Sequence, residues 1–238
     1  ASFFSSGLLQ INILIGTIIA SYESGAISFL YYADRVYQLP LALIGIAIGI
    51  AMLPSISSKI KSENFELIHE SIEQTLMYSL LFAVPASVGI YALSEQIISV
   101  LFERGEFDEK SSLFTSKALK FYALGLVAFI LLKIYTPIFF AYENAKPTLY
   151  IAVVNLAMNT VLSIILFIYI GFIGIPIATS VSAWISVILI NYYSNKYNYY
   201  KISHRIYLPT AVIIIVSFMM YLYLSFLKTY SGIFFNLL

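Results

Sequence analysis

Three side chains set in apolar surroundings are the residues of this sequence best able to do chemistry: Asp34, Arg35 and Lys133. At the centre of a hydrocarbon layer each such group costs about 2.5–3.5 kcal/mol on insertion scales, so charges kept there mark pathways or partners. On a helical period Ser28, Tyr31, Arg35, Gln38, Ala42, Gly45 and Gly49 fall along one face. The first half of that stripe is polar, which suits a water-filled cavity; the second half is small, which suits close helix contact. Asp34 flanks the stripe, about 100° round from Arg35. Two readings stand. In one, Asp34 and Arg35 neutralise each other or pair with neighbouring helices. In the other, Arg35 offers a permanently charged guanidinium to an anionic substrate, whose phosphate or carboxylate oxygens it can bind in pairs. Pro40 cannot donate to the carbonyl of Val36, so a kink is expected just past the charged pair. Pro85 and Pro137 predict the same further on, and Pro137 frees the carbonyl of Lys133. Lys133 itself either faces a cavity or snorkels to an interface.

Other polar groups carry less chemistry. Asn155 and Asn159 lie four apart on one helical face with Ser163 continuing the line, the pattern of amides that bond between helices. Trp184 reads as packing. His69 and His204 are expected in loops, with no partner at metal-ligand spacing, so neither metal nor cofactor is expected. No nucleophile constellation, phosphate loop or paired-carboxylate motif stands out, and the chain reads as a non-enzyme. Cysteine is absent, which excludes disulfides and thiolate sites.

The elements that must position these groups follow from composition. The chain is 61% hydrophobic and 11% charged, with a mean hydropathy of +0.90, whereas soluble domains carry about 25% charged residues. Too little polar surface exists to coat a soluble fold, and lipid removes the need. A net charge of +1 gives no electrostatic case for nucleic acid. Crossing about 30 Å of hydrocarbon takes about 20 apolar residues. Such stretches run over 2–22, 25–54, 76–102, 118–141, 148–170, 173–195 and 206–227, with a clipped further one after Lys228. Between them lie a tight turn at Glu23-Ser24-Gly25, a solvated amphipathic segment over 55–75, a charged loop over 103–117, short turns over 142–147 and 171–174, and a basic, tyrosine-rich segment over 195–205. Lys59, Lys61, Lys146, Lys196, Lys201 and Arg205 fall on one side of the membrane; Arg104, Lys110, Lys117, Lys120 and Lys228 fall on the other. The larger basic set places the first side in the cytoplasm. No signal-peptide pattern opens the chain, and both ends read as cuts within a longer sequence.

The block Tyr31-Tyr32-Ala33-Asp34-Arg35-Val36-Tyr37-Gln38-Leu39-Pro40 resembles the MurJ/MviN lipid II flippase family. So do Ala20-Ser21, Gly25 to Ser28, Gly45-Ile46-Ala47 and Leu53 to Ser57 around it. Gln10-Ile11-Asn12, Leu101 to Gly105, Lys133 with Pro137, Phe140-Ala141, Lys146-Pro147-Thr148 and Ala178 to Trp184 extend the match in order over most of the chain. The resemblance implies an all-α, polytopic transmembrane helical bundle of the kind shared with multidrug and polysaccharide exporters. In that fold fourteen helices form two lobes around a central cavity. Residues 1–195 would be the six-helix second lobe, and 196–238 the penultimate helix with the start of the last, which together form a groove for the lipid tail. The first lobe would be absent. The implied activity is alternating-access transfer of lipid II, the undecaprenyl-pyrophosphate-linked peptidoglycan precursor, from the cytoplasmic to the outer leaflet of the bacterial inner membrane. Arg35 would help hold the pyrophosphate, joined by arginines of the missing N-terminal lobe. Asp34, Ser28, Tyr31, Gln38 and Lys133 would complete this chain's share of the site, among membrane lipids.

Some members of that family bind Na⁺ through an acidic residue in the first helix here, another in the fifth and a hydroxyl in the sixth. Gly16, Asn159 and Thr179 stand at those places, with Asn155 one turn away. A hard cation gains from carboxylates, so a degenerate ion site is expected. Two other functions fit less well. An exporter of another polyprenyl-linked oligosaccharide would share the fold but not the Tyr31–Pro40 block. A membrane-embedded enzyme of lipid-linked sugar metabolism would need clustered acidic residues or histidines, and the charged loops are mixed in sign.

Overall fold

Residues 2–61 and 65–235 are described in a computed structural model of the chain. Every regular element among them is helical. Helices suit a chain this apolar in a membrane, because each backbone amide bonds within its own segment.

Helix α1 (Ser2–Ala20) ends at a turn where Gly25 takes φ 81°, a left-handed conformation natural to glycine. Helix α2 (Ala26–Pro40) follows. The kink expected past Pro40 is realised as a π-helical segment, Leu41–Ile46, which leads into α3 (Ala47–Lys61). Wide turns of this kind absorb a missing backbone donor by inserting a residue. Helix α4 spans Phe65–Phe102 and α5 spans Glu109–Ala141. Helices α6 (Lys146–Ile170) and α7 (Gly174–Lys196) form a hairpin through the 3₁₀ turn Gly171–Ile173, where Gly171 takes φ 69°. Helix α8 runs from His204 to Phe235.

Among the described residues four helical stretches are long and apolar enough to cross a membrane: Glu66–Phe102, Glu109–Ala141, Lys146–Lys196, which holds both arms of the hairpin, and His204–Lys228. The chain is a multi-pass membrane protein. Helix α5 is its centre, with Leu119, Leu126, Ile130, Ile134, Ile138 and Phe139 fully buried. It packs against α2, α3, α4 and α7, while α1 packs on α6 and α8 on α4. Neighbours grip α5 by its backbone. Ser180 donates to the Phe121 carbonyl at 2.6 Å, Ser87 to that of Ala123 at 2.6 Å, and Trp184 to that of Leu124 at 2.9 Å. Trp184 is therefore a hydrogen-bond donor as well as a packing residue.

Four expectations change. The described residues of the 55–75 segment are helical, as the end of α3 and the start of α4, and Ile56, Ile68 and Ile72 are completely buried. Helix α5 begins about two turns before the apolar run, because Asp108 caps it: its Oδ1 accepts from the Ser111 amide at 2.8 Å. That bond holds the exposed Asp108 carboxyl below its usual range. His69 and His204 lie on helices α4 and α8 rather than in loops. Finally, α8 passes Lys228 unbroken, so the apolar residues after it extend the same helix; 236–238 lie outside the described residues.

The two ends of the bundle are built differently. At one, Glu23 Oε2 accepts from the Phe172 amide at 2.7 Å, tying the α1–α2 turn to the α6–α7 turn. Phe29, Phe114 and Phe172 pack below it with centroids 5.5–5.8 Å apart. At the other, tyrosines gather: Tyr142 stacks on Tyr199 at 4.1 Å, and Asn144 donates to the Tyr199 hydroxyl at 3.0 Å. Aromatic belts of this kind sit at headgroup level.

Candidate functional site

Helix α2 buries Ala26, Leu30, Ala33, Val36 and Tyr37 against the bundle. Tyr37 stacks on Tyr122 of α5 with centroids 4.9 Å apart. The opposite face is therefore open, and it carries the predicted polar stripe. Ser28, Tyr31 and Arg35 are exposed, and Asp34 and Gln38 are half-buried. The guanidinium of Arg35 lies 4.7 Å from the Tyr31 ring centroid, a cation–π contact one turn back along the helix.

The charged pair is not self-neutralised. Gln38 Nε2 donates to Asp34 Oδ2, so the carboxylate is held along its own helix. Among the described residues Arg35 makes no ion pair. Its positive charge stands on the open face of α2.

The stripe does not continue as a straight helix would carry it. Ala42 is exposed but Gly45 is buried, and Gly49 lies outside the residues whose side chains are described. The π segment rotates the following residues off the line. Gly45 faces α5: a Cβ there would stand 3.4 Å from Ile130 and 3.5 Å from Lys133. Lys133 is exposed and sits beside the π segment. Ten residues of rise at 1.5 Å each put it about 15 Å along the axis from Arg35. The two cations share an open region but not one level.

The predicted degenerate ion site is a hydrogen-bonded knot joining α1, α6 and α7. Asn159 Nδ2 donates to Asn12 Oδ1 at 2.8 Å. Asn159 Oδ1 accepts from Ser163 at 3.2 Å, and the Thr179 hydroxyl shares its one proton between the Ile175 carbonyl at 2.9 Å and Asn159 Oδ1 at 3.4 Å. Gly16, one turn beyond Asn12, faces Ile175 of α7. Asn155 lies one turn from Asn159 and donates to Ser186 at 2.8 Å. Both amides thus bond between helices, as their spacing predicts. Asn12 was not foreseen as the partner; its only signal is a lone amide inside an apolar run. No group of three or more His, Cys, Asp or Glu that could hold a metal lies among the described residues.

Comparison with known proteins fits this architecture. The family described as "Lipid II flippase MurJ" matches residues 1–238. A probable lipid II flippase MurJ of Rickettsia prowazekii (strain Madrid E) is 37% identical over 226 residues, 95% of this chain and 45% of that protein. One of Rhizobium tropici is 38% identical over 184 residues, 77% of this chain and 34% of that protein. A solved lipid II flippase MurJ in an inward closed conformation superposes with a TM-score of 0.81 at 30% identity, covering 92% of this chain and 45% of the other. An outward-facing multidrug resistance MATE family transporter of the MOP superfamily superposes with a TM-score of 0.73 at 15% identity, covering 92% and 50%, and shares the fold. The chain spans less than half the length of these MurJ relatives. Over that length it belongs to the lipid II flippase MurJ family.

Proposed function

We propose that this chain is the second lobe of a lipid II flippase and that Arg35 is its contribution to holding the substrate's pyrophosphate. The observation that carries this reading is an exposed guanidinium, unpaired with any described carboxylate, on the open face of α2 in a member of that family. A pyrophosphate cannot enter hydrocarbon alone. It needs a wet cationic path, and arginine stays charged at any relevant pH while binding phosphate through paired donors. Tyr31 fixes the guanidinium from one side, and Ser28, Gln38 and Asp34 supply polar neighbours along the same stretch. Lys133, about 15 Å further along, would meet another part of the headgroup or the same phosphates at another stage of rocking. The first lobe would complete the cavity, and the lobes would rock about it as repeat-built transporters do. The knot of Asn12, Asn159, Ser163 and Thr179 then acts as an interhelical lock rather than a cation site, since Asn159 Oδ1 already accepts from Ser163 and no group of three or more His, Cys, Asp or Glu that could hold a metal lies among the described residues. The work is transport rather than covalent chemistry, and the place is the bacterial cytoplasmic membrane.

The test is replacement of Arg35 in the complete gene, in cells that depend on it for wall synthesis. Arg35→Ala is expected to abolish growth at unchanged protein level, and Arg35→Lys to restore only part of it, because a point charge lacks the paired donors. Full growth supported by Arg35→Ala at normal abundance would end the assignment.

A further inference from the structure

The acid next to the exposed guanidinium is fixed in place. Asp34 precedes Arg35 on α2 and points about 100° away from it round the helix axis. It is half-buried, beside the face that carries the buried Leu30 and Tyr37. Gln38 Nε2 donates to Asp34 Oδ2, and the Tyr37 hydroxyl bonds the same carboxyl group. Tyr37 is in turn stacked on Tyr122 of α5, which lies within electrostatic reach of Asp34. Two partners on its own helix and a stacked ring pair therefore set where this negative charge stands. No ion pair neutralises it among the described residues. Their salt bridges gather elsewhere, where Glu95 of α4 holds Lys120 of α5 at 2.8 Å and Lys228 of α8. Arg35 lies against the Tyr31 ring instead. A positive charge that can meet an anion and a pinned negative charge that cannot move away thus occupy neighbouring positions.

We propose that Asp34 is the release residue of this site: a fixed negative charge that weakens the hold of Arg35 on the substrate's pyrophosphate and so lets the substrate leave. The inference rests on the Arg35 reading and gives the neighbouring acid the opposite task. A carboxylate repels a pyrophosphate, so it makes a poor ligand for one and a good counterweight. A site on a transport path must bind well enough to load and loosely enough to empty. Arginine keeps its charge at any relevant pH, so no change in its own protonation loosens it, whereas an adjacent acid does so permanently. Like charges roughly 8 Å apart lower affinity by about twofold at an effective dielectric of ~80 and by about thirtyfold at ~20. A half-buried carboxylate falls between those limits.

The test is the affinity of the complete protein in detergent for lipid II, measured by microscale thermophoresis. Transfer of fluorescent lipid II across vesicle membranes at saturating substrate is measured beside it. Asp34→Asn keeps the shape of the side chain and one acceptor oxygen but removes the charge. It is expected to bind lipid II at least fivefold more tightly and to transfer it at least threefold more slowly. Asp34→Glu should stay within twofold of the wild type in both. A damaged fold does not tighten binding, so the direction of the change separates this role from a structural one. In an Arg35→Ala background the gain from Asp34→Asn should fall below twofold, because the pyrophosphate is then no longer held beside the carboxylate. Unchanged or weaker binding by Asp34→Asn at an unchanged melting temperature would overturn the proposal and leave the Arg35 assignment standing, as would a gain that survives Arg35→Ala. Wild-type affinity in Arg35→Ala alone would instead remove the Arg35 assignment, and this inference with it. Should Asp34→Asn fail to fold, Asp34→Ser also removes the charge and carries the same expectations.

Discussion

The amide of Asn159 reaches three helices: it donates to Asn12 of α1 and accepts from Thr179 of α7 and from Ser163 on its own helix. In hydrocarbon such bonds are each worth about 0.6 kcal/mol on average and up to about 1.7. Asn159→Ala should therefore lower stability by about 1–2 kcal/mol, read as a reduced melting temperature in detergent. Asn155→Ala removes one bond, to Ser186, and should cost less. An unchanged melting temperature for Asn159→Ala would mean that α1 is held to α6 by packing alone. The Asp34–Arg35 pair makes a related point. Adjacent opposite charges invite the inference of self-neutralisation, yet adjacent residues point about 100° apart on a helix. Gln38, one turn on, takes the carboxylate and leaves the guanidinium standing on the open face.

Glycines set how closely the elements approach. At Gly174 a Cβ would stand 2.6 Å from the Leu166 carbonyl carbon and 2.8 Å from the Phe167 nitrogen, so α7 leaves its hairpin against the backbone of α6. Backbone must move to admit a methyl group there, and overpacking of this kind costs about 1–3 kcal/mol. Gly89 of α4 has only Met220 Cε of α8, at 4.0 Å. Thermal unfolding of the two variants should separate cleanly: Gly174→Ala destabilised, Gly89→Ala at or above the wild type. Much at this scale is legible in the sequence. Spans, turns and the Pro40 disruption follow from apolar length, from Gly25 and Gly171, and from a missing amide. The helical ends of 55–75 and 109–117 are less legible, because their apolar residues are too sparse to read as spans and their burial depends on partners elsewhere in the chain. The ionic cluster of Glu95, Lys120 and Lys228 is not legible either. Its members lie far apart in sequence, and read singly each is an ordinary interfacial charge.

Across the whole molecule, large apolar side chains are exposed on nearly every side, among them Val161 and Ile188 in the hairpin and Leu39 and Leu43 near the polar stripe. Exposure alone does not distinguish lipid from an aqueous cavity, and the composition of a face does. The α2 face mixes Ser28, Arg35 and Gln38 with its apolar residues, whereas the outer face of α6 around Val161 is apolar. In the complete protein, on a background made free of cysteine, Ser28→Cys and Gln38→Cys should react with a water-soluble maleimide. Val161→Cys should not. Equal protection of all three would place the stripe against lipid or against tightly packed protein.

Helix α1 has little contact with the α2 that follows it and is held mainly by α6. The bonds of α1 and of the turn after it reach far along the chain: Asn12 finds its partner 147 positions later, and Glu23 finds Phe172 149 positions later. At ribosomal rates of ~5–20 residues per second, that separation is about 7–30 s of synthesis. The first helix described here to be made is thus among the last to dock, and in the interval the Asn12 amide and the Glu23 carboxylate wait without the partners they finally bond. Biogenesis of this lobe carries a built-in waiting period, and the nascent chain is most open to capture by membrane chaperones before the α6–α7 hairpin arrives.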